Sequence, residues 1–451
     1  MLNHLLTLVL IFAPAPDTTT TELTVSPRPV DDVTRAMSLR PEVLPRLDGD
    51  GSAMFFRAAL LVNDGLEIDG RTLAVIRAEA LAAGGESATD EQLAAARQAM
   101  VLVGDFKDPL TVAARHRTID WGIPLQTRGF ETLLPELNKL REMTIVLADE
   151  ARFAIEFGEK VEGVFDNATS STKSRAVKLD DAGVDRLVAE NVRLMVAIAD
   201  AVEQQPVLVS ALVGASIRDN ALGVIEDAIQ RPGSANYRDI LREMGPPRYE
   251  LARLIAGERD GIEATFPQMA RLRAENKVPG EVHEAFRAQL QALADVYQWN
   301  KAIPAPRVNY NPGSIRGQIL ALDTAMLELI VAADGSPEAF AETATAFEAN
   351  NGFGPLKPVT ASFGKVMRSF ARTERAYRVL VVIEALRSEA AGDGLPADLD
   401  GFDVSTIDPT TGESFGYERS DTGFTLQAGR PDVDATQPAR YVVTLRTPND
   451  G

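Results

Sequence analysis

Between Phe130 and Arg231 the apolar residues recur at alternating steps of three and four. Leu133, Leu137, Leu140, Thr144, Leu147, Ala151 and Ala154 fall on one face of a helix, with Thr132 as its N-cap and Pro135 in its first turn. A second helix is predicted from Asp180 or Asp181 to about Gln205. Its stripe is Val184, Leu187, Asn191, Leu194, Ile198 and Ala201, widened by Val188, Met195 and Val202. Pro206 ends it and can begin a third, in which Leu208, Leu212, Ile217, Leu222, Ile225 and Ile229 lead to a stop at Arg231-Pro232-Gly233. Burying a Leu or Ile contributes roughly 1.5–3 kcal/mol, and an isolated helix has little else to hold it. The three are therefore expected to pack as antiparallel hairpins. Ala197, Ala201, Ala211, Gly214 and Ala215 would let their axes approach closely.

The same periodicity predicts helices over 53–62, 71–83, 90–103, 109–117, 237–244, 248–257, 261–276, 280–301, 314–333 and 359–390. Residues 17–45 lack periodicity and read as a linker. Glu159 to Lys178, polar and rich in Ser and Thr, reads as a long exposed loop. Pro-interrupted connectors fall at 303–312 and 351–358. After Gly392-Asp393-Gly394 the pattern changes to alternation, giving strands at 414–419, 424–428 and 441–446. The expected fold is mainly α, an irregular solenoid or bundle of antiparallel helical hairpins with a small C-terminal β element. The division is a signal peptide over 1–15, a linker over 16–47, a helical domain over 48–391 with a sub-boundary near 302–313, and a β-containing region over 392–451.

Composition narrows the function. The 451 residues carry a formal charge of −19, which repels nucleic acid. There is no cysteine, so thiol catalysis, disulfides and thiolate metal sites are excluded. His4, His116 and His283 are scattered. Leu5 to Phe12 is apolar but too short to span a bilayer. With Ala13-Pro14-Ala15 it has the form of a secretory signal, so the chain is expected outside the cytoplasm, with no membrane span once the signal is removed.

Each candidate for chemistry has a plainer reading. Asp48-Gly49-Asp50-Gly51-Ser52 starts like a calcium loop, but Ala53 and Ala59 stand where Gly and Glu are needed. It reads as a turn and cap for the helix that follows. His283-Glu284 lacks the second His of a zinc-protease helix, and Ser170 with Lys173 lacks the companion motifs of its class. Asn191 interrupts an apolar stripe and reads as a satisfied core amide. Asp120 and Trp121 are the candidate ligand-binding residues, against a reading of Trp121 as a pin for its loop. No cofactor and no metal are expected.

Asp120-Trp121-Gly122, Leu133-Leu134-Pro135-Glu136-Leu137-Asn138-Lys139-Leu140-Arg141 and Ala151-Arg152 resemble a family of exported helical proteins from planctomycete-type bacteria. Ser52–Asn63 is similar to its first helix, which usually carries Tyr-Trp where this chain has Phe55-Phe56. Pro206–Gly233 is similar too, down to Leu212-Val213-Gly214. The resemblance implies tetratricopeptide-like hairpins and export, and no chemistry. Leu395, Pro396, Leu399, Asp408, Pro409, Gly412, Tyr417, Gly423 and Phe424 resemble the C-terminal part of type II secretion pseudopilins, whose N-terminal signal this chain lacks. The leading expectation is an exported, non-enzymatic interaction or scaffold protein that binds protein or peptide. The alternatives are an envelope-polymer hydrolase using two carboxylates, and an accessory part of a secretion assembly.

Overall fold

The computed structural model describes residues 20–30, 47–68, 70–84, 87–122, 135–166, 171–247, 249–275, 277–297, 311–335, 337–360, 362–402, 404–409, 411–427 and 440–446. The signal-like run, the Thr132 cap and most of the 303–312 connector lie outside them. The fold is mainly helical, as expected. Its centre is a trio of long helices, α5 (Pro135–Phe157), α6 (Asp181–Glu203) and α7 (Leu208–Ile229). Asp180 caps α6, its carboxylate accepting from the Gly183 N–H at 2.8 Å. A four-residue turn then reverses the chain into α7. Among the described residues α7 is the one helix long and apolar enough to cross a membrane; here it is the central packing helix, touched by α5, α6 and others on every side.

Before the trio come α1 (Ser52–Leu61), α2 (Leu73–Ala83), α3 (Asp90–Leu102) and α4 (Lys107–Ala113). After it come α8 (Arg238–Met244), α9 (Leu251–Thr265), α10 (Gln268–Ala274), α11 (Gly280–Tyr297), α12 (Pro312–Ala333), α13 (Pro337–Ala349) and the 29-residue α14 (Phe363–Ala391). Among the described residues two large buried cores result, beside a small cluster of Ala80, Ala96 and Phe153. The first joins Leu140, Val188, Met195, Ile225 and Ile383; the second joins Phe266, Phe286, Ile319, Phe340 and Phe370. Both α7 and α14 contribute to each, so these two helices tie the halves together. The helices on either side of residues 302–313, α11 and α12, share the second core.

Three readings are corrected. Thr20–Val25, placed in the linker, is strand β1. It lies parallel to β10 (Arg440–Leu445) in a sheet of order β1-β10-β9-β8, where β8 is Gly416–Ser420 and β9 is Gly423–Gln427. Leu23 and Val25 alternate with Glu22 and Thr24 and point into the core. So the C-terminal β element has four strands rather than three. Residues 159–166 and 171–178, read as loop, are strands: β6 (Glu159–Asp166) pairs antiparallel with β7 (Ser171–Lys178) as a hairpin. The Gln98 side chain of α3 ties it down, accepting from the Ser174 N–H at 3.2 Å and donating to the Thr172 carbonyl at 3.1 Å. Buried Glu159 at its base is held by Arg97 and Lys178. Lastly, residues 116 and 117, assigned to a helix end, belong to strand β5 (His116–Thr118), parallel to β2 (Leu47–Asp50). The antiparallel pair β3 (Glu67–Ile68) and β4 (Arg71–Thr72) completes the strands.

Helix α9 runs through both glycines at which the sequence reading broke it. Gly257 lies so close to the α6–α7 turn that an added Cβ would meet the Pro206 carbonyl oxygen at 1.6 Å. Gly257→Ala is expected to cost about 1–3 kcal/mol by overpacking, seen as a lower thermal midpoint. An unchanged midpoint would show that α9 does not sit this close to the turn.

Candidate functional site

Helix α1 turns Phe55, Ala58 and Ala59 into the core. Its other side should be polar, because a surface helix normally shows one apolar face. It is not. Phe56 (39% exposed), Leu60 (86%) and Leu61 lie on one outward arc with Arg57; Leu66, in the loop after α1, is exposed as well. The loop carrying Asp120 and Trp121 supports this arc from beneath. Trp121 is buried, its Nε1–H donating to the Ala201 carbonyl at 2.8 Å. Its ring lies 5.6 Å from Phe55 and, edge-on, 5.5 Å from Phe56. Asp120 stays at the surface. Its N–H donates to Asp50 Oδ1 at 2.8 Å, and its own Oδ1 accepts from the Gly122 N–H at 2.8 Å.

Asp50 caps α1, accepting from the Ser52 N–H at 3.0 Å and from the Ser52 hydroxyl. Burial pushes its carboxyl up. The two Ser52 bonds and the Asp120 N–H outweigh that, and the group sits below the usual Asp range. The Asp50 carboxylate of the calcium-like motif is thus spent on local structure.

A second cluster lies where the two cores meet. Arg218 of α7 pairs with Glu203 of α6 at 3.0 Å and with Asp200. Next to Arg218 in sequence, Asp219 reaches Arg372 of α14 at 2.8 Å. Tyr249 stacks flat on Phe370, ring centres 3.6 Å apart. Gly214 leaves the room that Glu203 fills; an added Cβ there would meet Glu203 Cγ at 2.5 Å. Burial pushes the Glu203 and Asp219 carboxyls up, and the neighbouring arginines pull them only part of the way back. Raised carboxyls at an internal junction are the usual mark of an acid–base site. Here each one is engaged by an arginine, which fits a structural seam better. Sequence reading missed it because its partners stand far apart along the chain, Asp219 and Arg372 by 153 residues.

A third cluster joins residues 26–28 and α14 to the middle of the chain. Asp185 of α6 accepts from Arg231 at 2.7 Å, from the Ala235 N–H at 3.0 Å and from the Tyr237 hydroxyl at 2.8 Å. Glu384 and Arg387 of α14, both fully buried, pair at 2.5 Å. Arg387 also donates to the Ser26 carbonyl at 2.9 Å and the Ser234 hydroxyl at 3.0 Å, while Asn236 bridges the Arg28 and Glu384 carbonyls.

Asn191 is fully buried. It donates to the Leu147 carbonyl and to Glu150, both at 2.9 Å, and accepts from Lys107 at 2.9 Å. Those bonds explain a polar residue in an apolar stripe. Asp408 is buried against Arg375 at 3.2 Å, under the Asp-Pro turn. His283 lies on α11 and Lys173 on β7; Ser170 lies outside the described residues. Among the described residues no three metal-ligating side chains come together. Comparison with protein-family models, with curated proteins and with solved structures finds no match.

Proposed function

We propose that this chain is an exported, non-catalytic helical protein that binds another protein or peptide on the outer face of α1. The observation carrying the reading is the arc of Phe56, Leu60 and Leu61, exposed on a chain with a formal charge of −19. Contiguous exposed apolar surface on a charged protein is characteristic of interaction sites. The buried Trp121 beneath Phe56 makes the face rigid, which lowers the ordering cost of binding. An apolar strip on a helix suits a partner that lays its own apolar face against it. Export rests on the signal-like N-terminus and on the resemblance to exported helical proteins.

Leu60 makes the cleanest test, since it contributes least to the fold. Leu60→Glu is expected to abolish capture of a specific partner from cell-envelope extract while leaving the free energy of unfolding within about 1 kcal/mol of the parent. Equal capture by both proteins would remove α1 as the binding face. The hydrolase alternative draws on the raised carboxyls of Glu203 and Asp219, but their arginine partners leave neither poised to trade protons with a substrate. The secretion-assembly alternative draws on the C-terminal tail, whose sheet is completed by the chain's own β1.

A further inference from the structure

Helix α9 is fastened to the α6–α7 turn at three points. Arg253 donates to the Gln204 carbonyl, Gly257 seats against the Pro206 carbonyl, and Glu258 Oε1 accepts from the Leu208 N–H at 2.9 Å. The same turn also holds the loop beneath α1. Gln204 Oε1 accepts from the Ile119 N–H at 2.8 Å, and the Ala201 carbonyl accepts from the Trp121 indole. Gln204 therefore carries both attachments, its carbonyl to α9 and its side chain to the loop. Trp121 in turn lies edge-on to Phe56 of the α1 arc. We infer that this turn is a pH-sensitive latch under the α1 face: ionising Glu258 releases α9, and the loosened turn lets Trp121 and Phe56 move. As control over partner binding, the latch rests on the reading of α1 as the binding face.

Glu258 suits the trigger because no cation holds it. The charges on the elements around it are engaged elsewhere. Arg253 bonds the Gln204 carbonyl and pairs with Glu250, Glu203 of α6 pairs with Arg218 of α7, and Asp323 of α12 pairs with Arg273. None of them acts on Glu258, whose one polar partner among the described residues is the Leu208 N–H. A neutral acid accepts that bond at little cost. A carboxylate needs water, and it gains water when α9 parts from the turn. The turn has its own reason to open. Gln205 is buried with its Oε1 taken by the Ser210 hydroxyl, and its Nε2 has no acceptor among the described residues. Wetting that donor removes a penalty which the closed turn carries. Burial sets the Glu258 carboxyl at about 7. The latch is shut below that pH, and each pH unit well above it favours the open form about tenfold more.

Hydrogen exchange of the full chain tests this. The Leu208 amide and the Trp121 indole N–H report the two attachments of the turn. The chain has two tryptophans, so Trp299→Phe leaves Trp121 as the single indole signal. After correction for the intrinsic rate, protection at both sites should fall about tenfold between about pH 6 and pH 8. Amides of the β6–β7 hairpin, which packs on α3 and α5, should keep theirs. Glu258→Gln, a neutral acceptor for the same N–H, should hold both sites at their low-pH protection throughout. His116 precedes the loop and ordinarily titrates near neutrality; it stays in that variant as an internal control. Constant protection, a fall that survives Glu258→Gln, a fall at Leu208 that Trp121 does not share, or an equal fall in the hairpin would each overturn the latch. No partner enters these measurements, so Leu60→Glu remains the separate test of α1.

Discussion

Replacing Arg387 with methionine is expected to lower the free energy of unfolding by roughly 3–5 kcal/mol. It should be the most damaging single substitution considered for this chain. The loss is not that of one ion pair. Arg387 is completely buried, and its guanidinium serves Glu384, the Ser234 hydroxyl and the Ser26 carbonyl at once. Without it, Glu384 is left charged in the interior, with the Tyr237 N–H as a remaining donor. The N-terminal segment loses the Ser26 bond to α14 as well, leaving the Arg28 N–H on the Arg387 carbonyl. Denaturant unfolding of the two proteins, compared by midpoint and slope, gives the measurement. The double variant Glu384→Leu with Arg387→Met should recover much of the loss, because an apolar pair leaves no buried charge. A single-variant loss below about 1 kcal/mol would mean that the cluster is wet or loosely packed.

Mild acidification is expected to stabilise the protein, against the usual behaviour of an acidic chain. Burial pushes Glu258 of α9 up to about 7, and the Leu208 N–H at the start of α7 offsets this only in part. Burial likewise raises Asp149, Glu203, Asp219, Glu226 and Asp323. A carboxyl with a folded pKa above its unfolded one favours folding most below the unfolded value. That contribution fades as pH rises through the folded pKa. For Glu258 the window runs from 4.5 to about 7. At about 1.4 kcal/mol per tenfold change in proton affinity, the effect is at most roughly 3 kcal/mol. Asp50 and Glu159 are held below their ordinary values and act the other way, but only as pH falls past about 4. Thermal midpoints should therefore rise from pH 8 to about pH 5. Glu258→Gln should flatten much of that slope. A midpoint that falls steadily over the same range would show that these carboxyls are well solvated.

The long central helices were readable because two independent signals agreed. Asp180 and Pro206 mark ends that the period of Val184, Leu187 and Leu194 also marks, and the observed α6 and α7 match to within about two residues. Elements whose reason lies far away in the chain were not readable. The six residues of β1 show a short alternation that means nothing until residues 440–445 are set beside it. The β6–β7 hairpin is nearly all polar, and the Gln98 side chain on another element holds it in place. Helix α13 carries Phe340, Ala344 and Phe347 on one face, a signal that was present and passed over. The breaks assigned near Gly257 and Gly261 weighed helix propensity without the close approach that requires a glycine at 257. Site geometry was the least legible. Leu60 and Phe55 look alike in a sequence, and only packing decides that one faces water.

The pairing of β1 with β10 has a consequence for how the protein is made. Thr20–Val25 leaves the ribosome about 420 residues before its neighbour Arg440–Leu445. For the minutes or seconds between, Leu23 and Val25 have no sheet to join, and an unpaired strand of this kind is open to capture or to mispairing. A nascent chain stalled before residue 440 should need a chaperone to stay in solution, whereas the finished polypeptide should not.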